Sequence, residues 1–391
     1  MNTVVIVSAV RTPLGRFGGA LSKIGAVDLG AHVIEEAVQR AGIEKALVNE
    51  CIMGMVLPCG YGQNPAKLAA VKAGLSWDTA SVTVNKVCGS SLKAVMLAAQ
   101  AIQCKDADIV VAGGMENMSM APYYMGSARW GYRMGSGELM DHMVHDGLWD
   151  VINDFHMGMS NELCSQKWKI SREDQDAFAF ASYERACRAV AQGRFKEEIV
   201  PVKILQKKGE PISFDTDECP EKTDLDVLAK MKPAFKDGGV GTAGNASILS
   251  DGAAALVLMS ETKAKALGCK VLARIGAQAA YGIDMKYVLM APIYAIPRVL
   301  EKQGLTLSDI DLFEINEAFS GSSVGINREL GLDPDKVNIN GGSVALGHPI
   351  GASGARVLTT LLYEMKKQNL HTGLASLCLG GGEAVALVVN R

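Results

Sequence analysis

The sequence predicts an α/β protein made of two similar halves with a long inserted segment, and three observations predict it. Apolar strand-like runs alternate with helix-periodic runs up to residue 114 and again from residue 271 onward. A strand, a turn bearing one reactive residue, a helix, a strand and a glycine pair occur in that order twice. The first set surrounds Cys88 and ends at Gly113-Gly114; the second surrounds His348 and ends at Gly380-Gly381. Such repetition suggests a duplicated unit whose two turns face each other across a pseudo-two-fold. The chain between them, 119–249, has a different character, rich in Met, aromatic residues and lysine. At 391 residues the chain exceeds what one hydrophobic core usually supports. The expected division is 1–118 plus 250–268, an insert over 119–249, and 269–391.

In order, residues 4–10 form a short apolar strand, and 11–19 a glycine-rich loop with neither a Gly-x-Gly-x-x-Gly nor a Walker lysine. A helix over 28–41 stops at Gly42. A strand over 49–56 and a helix over 64–73 follow, then the alternating strand 81–84 that leads into Cys88. Residues 92–103 are an unbroken run of helix formers, and 107–114 a buried-type strand. Within the insert, 126–137 is glycine-spaced and carries Arg129, Trp130, Tyr132 and Arg133. Such a loop often marks an interface, although packing on its own domain explains it as well. Helices over 161–168 and 172–192 precede an irregular lysine-bearing stretch over 194–236, which reads as solvated surface. Residues 240–247 are nearly all small, so a ligand can lie against that backbone. The second half repeats the pattern: strands over 253–260 and 271–280, a helix over 291–302, and a strand-to-helix passage over 312–319. A strand over 337–340, the His348 turn, a helix over 355–367 and strands ending at Cys378 and over 384–389 complete it.

Composition narrows the function. The net charge is −3, so no basic field points to nucleic acid. No apolar run reads as long enough to span a bilayer, and the N-terminus reads as a strand rather than a leader. The last residues are not a peroxisomal Ser-Lys-Leu address. Nine cysteines are scattered singly with no Cys-x-x-Cys pair, which argues against a metal site or disulfide framework and for a reducing, cytoplasmic setting.

The chemistry lies at the turns. A cysteine between a strand end and a helix start meets free backbone N–H groups and the positive end of the helix dipole, a field that favours the thiolate. A lone cysteine is more often an inert core residue, a lone histidine a satisfied structural one, and Asn316 at a helix start a plain N-cap. Pro349 fixes the backbone beside His348. Cys378 precedes three glycines whose amides suit an oxyanion site. A cysteine nucleophile, a histidine partner, a second cysteine and free amides together suit acyl transfer through a thioester.

At these residues the sequence resembles the thiolases over essentially its whole length, specifically those of the acetoacetyl-CoA type. The resemblance rests on Val87-Cys88-Gly89-Ser90, Gly113-Gly114-Met115-Glu116-Asn117-Met118-Ser119, His156-Met157-Gly158 and Gly244-Asn245-Ala246-Ser247. It continues in Asn316-Glu317-Ala318-Phe319, Gly347-His348-Pro349-Ile350-Gly351-Ala352-Ser353-Gly354 and Cys378-Leu379-Gly380-Gly381-Gly382. It implies a thiolase-like fold, with duplicated mixed-sheet halves layered α-β-α-β-α and an inserted loop domain. It also implies reversible condensation of two acetyl-CoA to acetoacetyl-CoA and CoA. Cys88 would carry the acyl group, His348 would activate it, and Cys378 would exchange the α-proton. Asn316 would hold a water in one oxyanion hole with His348, while the N–H groups of Cys88 and Gly380 form the other. CoA would lie near Leu148, His156, Met157, Phe235, Ala243, Ser247 and Leu249, with Ala318 and Phe319 beside the pantetheine. No cofactor or metal is implied, since CoA thioesters are the substrates, and residues 123–146 resemble a tetramerisation loop that would make a homotetramer.

The chain departs from the family pattern in places. Ser91-Leu92 replaces Gly-Met after the cysteine motif, and Met159-Ser160-Asn161-Glu162 replaces Thr-Ala-Glu-Asn. The acyl-pocket segment Met-Gly-x-Gly-Pro is Val288-Leu289-Met290-Ala291-Pro292, which leaves acyl chain length open. The alternatives are a broader-range 3-ketoacyl-CoA thiolase and a non-catalytic thiolase-like acyl-CoA-binding subunit. Ketoacyl synthases share the architecture, but Cys378 fits them poorly.

Overall fold

The structure, a computed structural model, describes residues 3–391. Ten strands form one mixed sheet: β1 (Val4–Arg11), β2 (Gly15–Arg16), β3 (Glu50–Gly54), β4 (Ala80–Val84), β5 (Ile109–Asn117), β6 (Ser250–Ser260), β7 (Ala273–Gly282), β8 (Leu312–Ile315), β9 (Thr372–Leu379) and β10 (Glu383–Asn390). Their order is β8-β9-β10-β7-β1-β6-β5-β3-β4, with β2 pairing onto β6. The halves share only a short seam, Val5 opposite Arg274 and Ile6 opposite Ala273. Outward from it each half repeats the same plan. Two antiparallel neighbours come first (β1, β6 and β7, β10); then an antiparallel step leads to a strand with a parallel partner (β5, β3 and β9, β8).

The alternation of side chains along each strand builds the layers. In the first half Ile6, Val110, Ala112, Leu256 and Leu258 face one way, while Val5, Val7, Val111, Ala255 and Val257 face the other. The second set packs on the helices Ala26–Ala41 and Pro65–Lys72. The first meets the helices Ser90–Cys104 and Ser353–Gln368, which also cover Ala375, Leu377, Val385 and Leu387 of the second half. The opposite face of that half, Leu374, Cys378, Ala386 and Val388, packs on the helix Pro292–Gln303. Five layers result, α-β-α-β-α, with two central helices between the half-sheets. The window Val87–Cys104 is long and apolar enough to cross a membrane by length and composition, contrary to the sequence reading, but it contains one of these two core helices.

The expected strand over 337–340 does not form. A single parallel bridge, Val337 to Phe313, marks the place that β4 occupies in the first half. Asn338 takes a left-handed φ of 46°. Its side chain then does the pairing: Ile315 N–H donates to Oδ1 at 2.8 Å and Nδ2 donates to the Ile315 carbonyl at 2.7 Å. An amide side chain thus caps the edge of β8 with the same donor–acceptor pair that a neighbouring strand presents.

The insert leaves from β5 and returns through β6, which pair antiparallel from Asp251 opposite Asn117 to Met259 opposite Ile109. It carries the helices Met157–Trp168 and Arg172–Ala191, the latter opened by a capping box between Ser171 and Asp174. A buried ion cluster fastens it to the core. Arg11 donates to both carboxylate oxygens of Asp217 at 2.6 and 2.9 Å, and to Glu198 at 2.7 Å. The glycine-spaced loop stands away from the body, with Trp130 85% and Met134 94% exposed.

Candidate active site

Four chain segments converge where the half-sheets meet. β4 ends at Val84, and the chain turns through Val87, a β-branched residue held at φ 44°, to place Cys88 just before the helix Ser90–Cys104. Gly89 is needed there for closeness: a Cβ would come 2.5 Å from Leu379 Cδ2 and 3.1 Å from Val385 Cγ2 of the other half, both shorter than ordinary van der Waals contact. Opposite it, β9 delivers Cys378 just before the Gly380-Gly381-Gly382 turn. His348 sits on a loop whose backbone is zipped to the insert, His348 N–H donating to the Ile248 carbonyl at 2.8 Å. Asn316 lies past the end of β8; Phe319, not Asn316, caps the following helix, so the N-cap reading is excluded.

These segments enclose a cavity of about 410 Å³. Cys88, His348, Cys378 and Gly380 line it, together with Leu148, His156, Met157, Phe235, Ala243, Ser247, Leu249, Val288, Ala318 and Phe319. Asn316 is not on the wall but behind it, its Nδ2 at 3.4 Å from His348 Nε2. Leu289, in the acyl-pocket segment, also lines the cavity; sequence reasoning did not assign Val87, Gly147, Ala234, Ala246, Ile248, Ile350 or Leu379 to the wall, and these carry no local signal beyond their neighbours in the motifs. The apolar wall is ordered by aromatic packing. His156 stacks on Phe235 at 5.4 Å, and Phe235 meets Phe319 edge-on at 5.7 Å. His156 also caps its helix, Nδ1 accepting from Gly158 N–H at 3.0 Å, and burial lowers its pKa, so it is neutral. Among the described residues no His, Cys, Asp or Glu cluster has the makings of a metal site, and all nine cysteines are free thiols.

The electrostatics correct one expectation. The helix terminus does not leave Cys88 as a resting thiolate: burial pushes its thiol up to about 12, outweighing the N–H groups of Gly380 and Cys88 itself, which act in the opposite direction. Cys378 is raised further, by burial first and then by the neighbouring Cys88 and Cys164. His348 is pushed down to about 3, by burial first and then by the Arg356 charge. A neutral imidazole beside a protonated thiol is a base–nucleophile pair that must transfer a proton during reaction rather than before it. The tautomer is fixed. Ser353 Oγ donates its proton to the Pro349 carbonyl at 2.9 Å and so accepts from His348 Nδ1 at 2.6 Å, leaving the lone pair on Nε2.

The turn bearing His348 is held by Glu116, a buried carboxylate from β5. It accepts from the N–H groups of Val56, Leu57 and Gly351 at 2.9, 3.2 and 2.8 Å. Burial pushes its carboxyl up to about 7 despite these three donors. Gly114 in the same strand allows the approach of the Cys88 helix, where a Cβ would lie 2.6 Å from Ser91 Cβ.

Comparison with known proteins agrees with this arrangement. The thiolase N-terminal domain matches residues 4–262 and the thiolase C-terminal domain residues 269–391. The chain is 54% identical to an acetyl-CoA acetyltransferase of Pseudomonas aeruginosa over 392 aligned positions, covering 100% of both chains. It is 53% identical to the enzyme of that name from Cupriavidus necator, again covering 100% of both. A crystal structure of the Bacillus anthracis acetyl-CoA acetyltransferase, 43% identical, superposes with a TM-score of 0.97 over 100% of this chain and 99% of that one.

Proposed function

The chain belongs to the thiolase family, and from that premise we propose that it is an acetyl-CoA acetyltransferase. It interconverts two acetyl-CoA with acetoacetyl-CoA and CoA. The observation that carries the reading is the cavity itself, which brings two cysteines and a neutral histidine from three distant segments onto one apolar wall.

Cys88 Sγ attacks the acetyl-CoA carbonyl as its proton passes to His348 Nε2. The C–S bond to CoA breaks, and His348 returns the proton to the departing CoA thiolate. Backbone N–H groups of Cys88 and Gly380, which act to lower the Cys88 thiol's pKa, stabilise the tetrahedral oxyanion. In the second half, Cys378 gives its proton to His348 Nε2, and the resulting thiolate takes the α-proton of a second acetyl-CoA. Its raised pKa makes that thiolate a strong base, which a weakly acidic α-carbon requires. Protonated His348 and a water held by Asn316 stabilise the enolate oxygen. The enolate carbon attacks the acetyl carbonyl on Cys88, a C–C bond forms, the C–S bond breaks, and Cys88 leaves as a thiolate that takes the proton back from His348. The chain's own residues supply the acyl carrier, the bases and the oxyanion donors, so the reading requires no cofactor. Scattered free thiols support a reducing, cytoplasmic setting.

Val288 governs the acyl range. It is buried against the cavity where the family pattern has a Met, and Val is shorter and stiff at χ1. Thiolysis should be fastest on acetoacetyl-CoA, with weaker turnover of a longer or α-methylated 3-ketoacyl-CoA, and Val288→Met should narrow that range. Faster turnover of long chains than of acetoacetyl-CoA would favour the broad-range thiolase instead. No turnover of any of them would contradict the reading.

A further inference from the structure

The helix Ser353–Gln368 grips the catalytic histidine from both sides. Ser353, in its first turn, holds Nδ1 directly. Arg356, one turn on along the same face, reaches the Nε2 side through two intermediaries. Its Nη2 donates to Ser343 Oγ at 3.2 Å, Ser343 Oγ donates to Asn316 Oδ1 at 2.6 Å, and Asn316 Nδ2 faces His348 Nε2.

Several features of Arg356 are unfavourable to folding alone. It is 1% exposed, and its Nε and Nη1 have no hydrogen-bond partner among the described residues. It lies in the first turn of a helix, where the dipole disfavours a cation. Arg11 repels it, and Glu314, Glu198 and Glu317 supply the compensating charge. A buried ion is weak support for stability and a stronger sign of a specific role.

Resting on the acyl-transfer reading above, we propose that Arg356 is a positioning residue that fixes the direction of the Asn316 amide through Ser343. Arginine has donors only, so Ser343 must accept from it and spend its single proton on Asn316 Oδ1. The amide is then committed to presenting Nδ2–H toward His348 Nε2 and the cavity. That orientation requires the Nε2 lone pair that the Ser353 contact independently selects. Both ends of the path specify the same tautomer. Without the guanidinium, Ser343 can rotate and the amide can turn its oxygen toward the imidazole.

The test is a double-mutant cycle on the single-turnover condensation of acetylated enzyme with acetyl-CoA, the step in which Asn316 acts, with Arg356→Met, Arg356→Lys and Asn316→Ala. Arg356→Met should slow this condensation about tenfold or more at saturating acetyl-CoA, with KM within about threefold of wild type. Arg356→Lys, which keeps a cationic donor, should recover most of the rate. In the Asn316→Ala background Arg356→Met should cost no more than about threefold, because the path has already lost its end. Equal losses in both backgrounds, or a change confined to thermal stability or KM, would overturn the proposal. If Arg356→Met does not fold, Ser343→Ala closes the same cycle with the charge in place and is judged by the same two outcomes. Failure of the wild type to acetylate Cys88 would instead overturn the acyl-transfer reading itself.

Discussion

At the scale of single residues, the two cysteines divide the work because their surroundings differ. Cys88 is part-exposed at the cavity, where the amides of Cys88 and Gly380 favour its thiolate; Cys378 is buried on the face of β9 that packs toward the helix Pro292–Gln303. Cys378→Ala should therefore still form the acyl-enzyme yet lose the carbon–carbon step, read by half-reaction kinetics; an acylation defect equal to that of Cys88→Ala would contradict the division. His348 gives a pH test. In the folded chain it binds a proton only near pH 3, against an ordinary value of 6.5. Between those values the unfolded chain holds more protons, so this residue's contribution makes stability rise with pH across the window and fall on acidification. For catalysis the same shift keeps the base neutral, so the acetylation rate should show no inflection near pH 6.5. An inflection there that His348→Asn abolishes would show an ordinary, protonatable histidine. The reacting residues were legible because each sits in a distinctive turn. Ser343 and Arg356 were not, since their roles exist only once separate segments fold together.

Among the elements, the edge of β8 shows how a strand pattern can mislead. Val337-Asn338-Ile339-Asn340 alternates as a strand does, but the polar side chain at 338 competes with the ladder and wins by satisfying both backbone groups of Ile315. Asn also tolerates the left-handed backbone there better than most residues. Asn338→Ala would strand a buried N–H and C=O and lose the bond from Nδ2 to Glu317, which is 3.0 Å long. The expected cost is about 2–4 kcal/mol, measured as a lower denaturation midpoint. A midpoint unchanged within error would mean that water or a shifted backbone takes over the pairing. The remaining principal strands and helices were readable to within a few residues because their apolar periods match the faces they bury. Arg11, which closes the insert onto Asp217 across 206 residues of sequence, left no local signal.

For the whole molecule, duplication explains why one site needs both halves. The sheet seam is short, yet the Cys88 and Cys378 turns press together where the first half's helix meets the second half's β9–β10 turn. The repeat was visible in the sequence as two strand–turn–helix–strand series. The continuous sheet was not, because two residue pairs at the seam carry no pattern. Outside this core the loop over 126–137 has little to hold it to its own chain, and its exposed Trp130 and Met134 fit a contact with another subunit. If the chain forms the tetramer that its resemblance to the thiolases implies, deleting 126–137 should give active dimers by light scattering; a persistent tetramer would remove that role. The central claim, that Cys88 is the acyl carrier, has the most direct test. The protein is incubated with acetyl-CoA, quenched in acid, digested and analysed by mass spectrometry. The account predicts an acetyl group on the Cys88 peptide that disappears when CoA is added. Acetylation of a different residue, with Cys88 unmodified while condensation proceeds, would contradict it.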